Sequence, residues 1–289
     1  MRLRQIIYAF LALITLAGCA DSYIPESVPQ IVVEGWIEDN GYPVVILTTT
    51  VPIDGERKNN ESLQEYLIRW GKVTISDGEK DVVLTGMRNN DYFPPYIYTT
   101  SSIRGKAGKS YSLKVEYSGR TVTATTTVPE PVSLEYIKVK KSDIEDSYYL
   151  TGGLMDDRLT KDYYKFFVKR ARKDSIYKPS FMGLVNDDIL SENIEELPIN
   201  SGISSVMEKT ENFFSKDDLV FVRLSSLDEQ SYAYWNDFET IYSLSCNPFF
   251  PANSRIRSNI KGGLGYWAGY GSTYYTVSIP DSLAMGRVH

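Results

Sequence analysis

Apolar and polar residues alternate along much of the chain with a period of two, which is the pattern of half-buried β-strands. The clearest example is KVTISDGEKDVVLTG at residues 72–86, where two alternating runs flank Asp77-Gly78, a dipeptide typical of hairpin turns. The sequence YSLKVEYSGRTVTATTTVP at 111–129 repeats this pattern around Ser118-Gly119. Short strands punctuated by Gly, Asp and Pro predict an antiparallel β-sandwich.

The chain is predicted to be mainly β, beginning with an immunoglobulin-like antiparallel sandwich over residues 31–130. Further strands of this sandwich are expected in IVVEGWIED (31–39) and PVVILTTTVP (43–52). Tyr111 is predicted to be the corner tyrosine found in such folds. The prolines of VPEPV (128–132) cannot join a central strand, so this segment is the predicted domain boundary.

Residues 131–289 are predicted to form a second β-rich domain that carries one amphipathic helix. Its strands are expected in YYLTGGLMDD, YYKFFVKRAR and DLVFVRLSSL, and surface loops are expected in the polar stretches around 172–216. From 228 to 244, aromatic and apolar residues recur every three to four positions, which predicts a helix with its aromatic stripe packed on a sheet. Ser226 and Glu229 have the spacing of a capping box at its start.

The first nineteen residues, MRLRQIIYAFLALITLAGC, follow a different pattern. Arg2 and Arg4 precede an uncharged, mainly apolar run that is shorter than the ~20 residues a transmembrane helix needs. This arrangement is typical of a signal peptide, so residues 1–18 are predicted to be removed. Residues 19–30, with two prolines, are predicted to form a short polar tether.

The end of this run, Leu16-Ala17-Gly18-Cys19, resembles the lipobox of bacterial lipoproteins. In those proteins, small residues before the cysteine fit the signal peptidase, and the cysteine and the new amino terminus carry acyl chains such as palmitate. The resemblance implies that Cys19 is the lipid-bearing first residue of the mature protein. Several acyl chains give stable anchoring, because each buried CH₂ contributes ~0.8 kcal/mol. The alternative is a cysteine that follows an ordinary secretory signal by chance.

Several segments together resemble one known family. They are VVEGWI after the lipobox, GKVTISDG, GKSYSLKVEYSGRTVTATTTVPEPV, DLVFVRLSSLDEQSYAYWNDFETIY and SNIKGGLGYWAGY. Over about residues 21–283 the chain is similar to the Bacteroidetes outer-membrane lipoproteins catalogued as domain of unknown function 4249 (DUF4249). The resemblance implies a lipid-anchored protein of the outer membrane, often encoded beside TonB-dependent transporters, whose biochemical role is not established. The single acid Asp21 close to Cys19 favours the cell surface over the periplasmic face.

The charge balance excludes some partners. The chain has 31 Lys and Arg against 37 Asp and Glu, a net charge of −6, whereas nucleic-acid binding draws most of its affinity from basic patches. We therefore expect no nucleic-acid partner, and a membrane link through the lipid alone. With Cys19 lipidated, Cys246 has no partner for an internal disulfide or a cysteine-based zinc site. Cys246 is expected to be a small buried hydrophobic residue.

Catalytic patterns are lacking in the sequence. The single histidine is His289, the last residue, so neither a Ser-His-Asp or Cys-His site nor a His-ligated metal is expected. Adjacent acids occur at Asp156-Asp157, Asp187-Asp188 and Asp217-Asp218, but neighbouring residues of a strand face opposite ways and do not converge on a sugar. We expect solvated loop or strand-end acids, with weak calcium binding as the alternative. No catalytic residue, metal or cofactor is predicted.

Aromatic residues provide the candidate contact surface. The chain has 22 Tyr and 4 Trp, residue types enriched at interfaces. The loop YFPPYIY contributes Tyr92, Phe93 and Tyr96, and its two prolines reduce the ordering cost of a contact. The alternative is a hairpin loop that simply folds over the end of the sandwich.

The glycine-rich segment GGLGYWAGYG (262–271) contributes three more candidate contact residues, Tyr266, Trp267 and Tyr270. It is not a phosphate-binding loop, because it lacks the Lys-Ser/Thr ending and a following helix. Its glycines indicate either tight turns and close backbone approach, or spacing of an aromatic contact surface.

Three functions fit these features. The favoured one is a non-enzymatic accessory or ligand-capture partner of a TonB-dependent transporter, whose anchor would raise the effective concentration of the pair. A cell-surface adhesin or envelope scaffold is the alternative. A surface hydrolase that works through two carboxylates is the third.

The lipobox gives a direct prediction. Cys19→Ser should accumulate as an unlipidated precursor, because serine has no thiol to receive diacylglycerol. Metabolic labelling with palmitate should then fail, and the protein should leave the membrane fraction. Normal membrane fractionation of this variant would show that the chain is not a lipoprotein.

Overall fold

A computed structural model describes residues 28–51, 60–155, 161–186, 195–203, 213–245 and 256–279. It confirms a mainly β chain with several antiparallel sheets and a sandwich-like arrangement. The predicted signal peptide, Cys19, most of the tether, Cys246, His289 and the acid pairs at 156–157 and 187–188 lie outside the described residues.

The strands before the predicted domain boundary are β1 (Ile31–Glu38), β2 (Val44–Thr49), β3 (Lys72–Ser76), β4 (Asp81–Val83), β5 (Thr85–Arg88), β6 (Tyr96–Thr99), β7 (Ser110–Tyr117) and β8 (Arg120–Thr127). A short helix, α1 (Asn60–Leu63), and a 3₁₀ turn (Gln64–Tyr66) lie between β2 and β3. The later elements are β9 (Tyr136–Lys141), β10 (Ser147–Leu154), β11 (Tyr163–Arg170), β12 (Lys178–Asn186), β13 (Glu195–Ile199), β14 (Phe214–Ser215), β15 (Leu219–Leu227), α2 (Glu229–Ser245) and β16 (Leu264–Ser278).

An eight-stranded central sheet runs through the molecule in the order β12-β11-β15-β16-β1-β2-β6-β5. Strands β1 and β16 pair in parallel at its middle, from Val32 opposite Leu264 to Glu38 opposite Tyr270, and the other neighbours are antiparallel. The predicted boundary at 128–132 falls between β8 and β9. The regions on either side of it nevertheless contribute strands to one sheet.

Two smaller sheets cover one face of the central sheet. The sheet β4-β3-β7-β8 packs on β1 and β2, with Val33, Leu47, Ile75, Leu113 and Trp267 in the shared core. The sheet β13-β10-β14, with β9 beside β10, packs on β11, β15 and β16 through a second core. Each half is therefore a two-layer sandwich. The two outer layers are separate small sheets, whereas both halves share the central sheet as their inner layer.

The predicted hairpins are confirmed. Strands β3 and β4 turn at Asp77-Gly78, and β7 and β8 turn at Ser118-Gly119, where both residues have positive φ (49° and 76°). Tyr111 is buried and its hydroxyl donates a hydrogen bond to the carbonyl of Arg104 at 3.0 Å, the type of backbone contact that a corner tyrosine makes.

The loops predicted around 172–216 are wrong in part, because β12, β13 and β14 lie in this stretch. Strand β12 is at the edge of the central sheet, and its register on β11 shifts between Lys165 and Phe167. Met182 within it has a φ of 51°. These irregularities break the alternation of apolar and polar residues, so the sequence shows no period-two signal there.

The amphipathic helix predicted at 228–244 is confirmed as α2, but its cap differs from the prediction. The side chain of Asp228 accepts the backbone N–H of Ser231 at 2.8 Å, which satisfies an unpaired donor of the first turn. The Thr126 hydroxyl donates a hydrogen bond to the other carboxylate oxygen of Asp228 at 2.9 Å, which connects the start of the helix to β8. Among the described residues, no helix is both long and apolar enough to cross a bilayer.

The glycines of 262–271 permit close backbone approach, one of the predicted alternatives. Gly265 has a φ of 102°, and a Cβ there would lie 1.8 Å from the carbonyl oxygen of Val33 on β1. A Cβ on Gly269 would lie 2.4 Å from the carbonyl oxygen of Thr127. Both neighbours are backbone atoms, so a side chain at either position requires the strands to separate.

We therefore expect Gly269→Ala to lower the free energy of unfolding by about 3 kcal/mol, measured by urea denaturation. Gly78→Ala is the control: its Cβ would meet no atom within 4 Å, and only its positive φ of 86° opposes the change. That control should cost about 1 kcal/mol. Equal losses in the two variants would contradict the close packing of β16 on the end of β8.

Candidate functional site

The face of the central sheet opposite the smaller sheets carries α2 and, beside it, an open pocket of about 480 Å³. Successive residues of a strand point to opposite faces, so Val33 and Ile37 of β1 enter the first core while Glu34, Trp36 and Glu38 face the pocket. The neighbouring strands add Tyr266, Tyr270 and Tyr274 from β16, Arg223 from β15, and Phe167 and Lys169 from β11.

Aromatic rings form the sides of the pocket. The loop between β5 and β6 supplies Tyr92 and Phe93, and the ring centroid of Tyr92 lies 6.1 Å from that of Trp36. Tyr177, between β11 and β12, and Trp235 of α2 line other sides. The pocket is lined by aromatic rings together with charged and polar side chains, and its volume is within the range of small-molecule sites.

The structure brings together four of the six predicted contact residues, namely Tyr92, Phe93, Tyr266 and Tyr270. Tyr96 lies elsewhere: its hydroxyl donates to the carbonyl of Arg69 at 3.2 Å, and its ring packs on Tyr98.

Trp267 is not part of a contact surface, because its side chain is fully buried in the first core. Its indole N–H donates to the carbonyl of Tyr111 at 3.0 Å. The prediction failed here because Trp267 follows Tyr266 on a strand, and consecutive strand residues face opposite sides of the sheet.

A buried ion pair for which the sequence shows no pairing pattern lies in the pocket. The guanidinium of Arg223 contacts the carboxylate of Glu38, and their side chains are only 9 % and 11 % exposed. The Tyr274 hydroxyl donates to the other carboxylate oxygen. Burial alone would lower the pKa of Arg223, but the negative charge of Glu38 opposes this effect and the pKa is raised. The only sequence signal was an arginine inside the apolar run of β15.

The Arg223 guanidinium is also enclosed by rings. Its central carbon lies 4.1 Å from the ring centroid of Phe167, 5.2 Å from that of Tyr177 and 5.6 Å from that of Tyr270. These distances are within the range of cation–π attraction. The Arg223 charge is therefore neutralised by Glu38 and shielded by aromatic groups.

Glu34, the other carboxylate of β1 in the pocket, has a different environment. Its side chain is exposed at the open pocket, with neighbouring protein atoms close enough to desolvate it in part. Burial raises the pKa of this carboxyl, and the hydrogen bond from the Tyr266 hydroxyl, at 3.4 Å, partly offsets the effect. Among the described residues, Glu34 has no ion-pair partner.

The sequence matches the protein family described as a domain of unknown function, DUF4249, over residues 21–276. The chain belongs to this family. The matched region contains both β1 and nearly all of β16, so the strands that form the floor of the pocket lie almost entirely within the DUF4249 domain. A search of curated proteins found no match to this DUF4249 protein.

A second buried charge fixes α2 beside the pocket of the DUF4249 domain. The ammonium of Lys165 on β11 donates to the carbonyl of Ser180 at 2.9 Å and pairs with Glu239 of α2. Burial lowers the pKa of Lys165, and the charge of Glu239 opposes that change. Lys165 also lies 5.5 Å from the ring of Trp235, so the helix that carries this pocket residue is held to the sheet.

The described acid pair, Asp217-Asp218, does not form a site with the pocket. Asp218 is buried rather than solvated: it accepts the backbone N–H of Ser215 at 3.0 Å and pairs with Lys173 at 2.8 Å. Asp217 occupies a turn with a φ of 65°. Within the described ranges, no three His, Cys, Asp or Glu residues are grouped to hold a metal ion.

The Arg223–Glu38 pair gives a stability prediction for the DUF4249 domain. Arg223→Met should lower the free energy of unfolding by about 3 kcal/mol, because Glu38 would be left buried without a counter-charge. The double variant Glu38→Gln with Arg223→Met should recover part of this loss, since it buries no unpaired charge. Denaturant titration measures both. A loss below about 0.5 kcal/mol in the single variant would contradict the pairing.

Proposed function

We propose that this DUF4249 protein is a non-enzymatic, lipid-anchored ligand-capture partner of a TonB-dependent transporter at the outer membrane, displayed on the cell surface. The observation that carries the proposal is the open pocket of about 480 Å³ with its aromatic sides. Flat rings offer apolar contact area at low entropic cost, and a few charged groups among them provide selectivity.

The arrangement of carboxylates favours binding over hydrolysis. Glu38 is engaged by Arg223 and Tyr274, which leaves it poorly placed to act as a base or nucleophile. Glycoside hydrolases need two carboxyl groups that are both available to act as acid, base or nucleophile. On β1 only Glu34 is available in this way, because Glu38 is held by its ion pair and hydrogen bond.

The tether supports action close to the membrane. Cys19 precedes the first residue of β1, Ile31, by a short segment that spans at most ~40 Å when extended. A lipid at Cys19 would hold the start of β1 within that distance of the outer membrane. Membrane anchoring would also raise the effective concentration of a transporter in the same membrane.

The proposal predicts that uptake depends on the pocket. A deletion strain should lose uptake of a TonB-dependent nutrient, and a variant with Trp36→Ala and Tyr92→Ala should fail to restore it. Trp70→Ala is the control, because Trp70 is an exposed aromatic residue that does not line this pocket. Formaldehyde cross-linking of cells expressing the wild type should recover an outer-membrane barrel.

Unchanged uptake in the deletion strain, together with no captured barrel, would refute the accessory role. Loss of cell adhesion with intact uptake would instead support the adhesin or scaffold function. Turnover of a glycan panel that disappears in Glu34→Gln would support a hydrolase.

A further inference from the structure

We infer that the pocket binds an organic ammonium cation, with Glu34 as its counter-ion and the rings of Trp36, Tyr92 and Tyr266 around it. This assignment rests on the proposed capture function and names the class of ligand for the same pocket. It follows from a carboxylate with no ion pair in the described part of the chain, the position of the rings and the distribution of charge along the pocket floor.

The carboxylate of Glu34 lacks a compensating charge. Its one hydrogen bond is the 3.4 Å contact from the Tyr266 hydroxyl, which is long for an O–H donor to a carboxylate. No Lys or Arg among the described residues pairs with it. A cation bound beside this exposed carboxylate would stabilise its charged form, because an opposite charge within ~4–6 Å favours ionisation.

Aromatic residues surround this carboxylate on both the sheet and the loop side. Trp36 follows Glu34 on the same face of β1, and Tyr266 is opposite Glu34 in the β1–β16 register. Tyr92 faces Trp36 with an interplanar angle of 40°, and Tyr234 of α2 packs on Tyr266 at 4.2 Å. The faces of such rings attract a cation placed within about 6 Å of their centroids.

The charge of Glu34 acts on these same rings. Burial is the main cause of the raised pKa values of Tyr92, Tyr234 and Tyr266, and the negative charge of Glu34 adds to each. The three hydroxyls therefore stay neutral at physiological pH. The end of the pocket at Glu34 thus combines a negative potential with uncharged aromatic surfaces, which is the chemistry that recognises an alkylated amine.

The cationic side chains of the pocket are compensated or lie at its other end. Arg223 pairs with Glu38, and Lys178 pairs with Asp174 at 2.9 Å. Lys169 is opposite Phe221 of β15, which is opposite Thr276 of β16. Thr276 is ten residues along β16 from Tyr266, the residue opposite Glu34. None of the three supplies a counter-charge to Glu34.

The test compares choline with 3,3-dimethylbutan-1-ol, its neutral carbon isostere, by titration of the tryptophan fluorescence of the chain lacking residues 1–19. Trp36 and Trp235 line the pocket and report on occupancy. Choline should bind at least tenfold more tightly than the isostere. Glu34→Gln should weaken choline binding at least tenfold without changing the urea midpoint.

Asp81→Asn is the matched control, because it removes the same charge from an exposed residue of β4 on another sheet. It should change choline affinity less than twofold. Equal affinity for choline and the isostere, no saturable choline binding, or equal losses in the two acid variants would each overturn the assignment. Uptake in cells separates the two proposals. If choline binding fails these tests but the variant with Trp36→Ala and Tyr92→Ala still does not restore nutrient uptake, the capture function stands and only the ligand class is wrong.

Discussion

The parallel pairing of β1 with β16 is the interaction on which the rest of the structure depends. It joins the start and the end of the described chain at the middle of an eight-stranded sheet. Both sandwich cores use this sheet as their inner layer, so neither is independent of the other. The pairing also demands a backbone without a side chain at Gly265, where a Cβ would collide with the Val33 carbonyl. This explains the glycine at position 265 of β16.

The pocket is a consequence of the same pairing. One face of β1 and β16 is covered by a smaller sheet, and the other presents Glu34, Trp36, Tyr266 and Tyr270 beside α2. The buried charges of Arg223 and Glu38 on this face compensate each other within the protein. Glu34 is exposed at the pocket and has no ion-pair partner among the described residues. The carboxylate that folding leaves unpaired is the group that we assign to ligand recognition.

Local sequence patterns predicted the parts of the fold that depend on neighbours in the chain. The β7–β8 hairpin and α2 follow from the spacing of apolar residues and from the turn residues. Tyr92 and Phe93 are predictable as contact residues because they lie in an aromatic loop with two prolines. The β1–β16 pairing has no local signal, because its strands are separated by almost the whole chain. Without it, the side of the sheet that each residue faces cannot be assigned, so the sequence alone leaves Trp267 a candidate contact residue. Arg223 and Glu38 were missed for the same reason, since each alone is one charge in an apolar strand.

The central claim is that both ends of the chain form one ligand-binding floor. Hydrogen–deuterium exchange with mass spectrometry, with and without saturating choline, tests it most directly. Bound ligand should slow amide exchange in β1 and β16 together, and in the loop that carries Tyr92 and Phe93. Slowing in only one of the two strands, or only in segments remote from the pocket, would contradict the account.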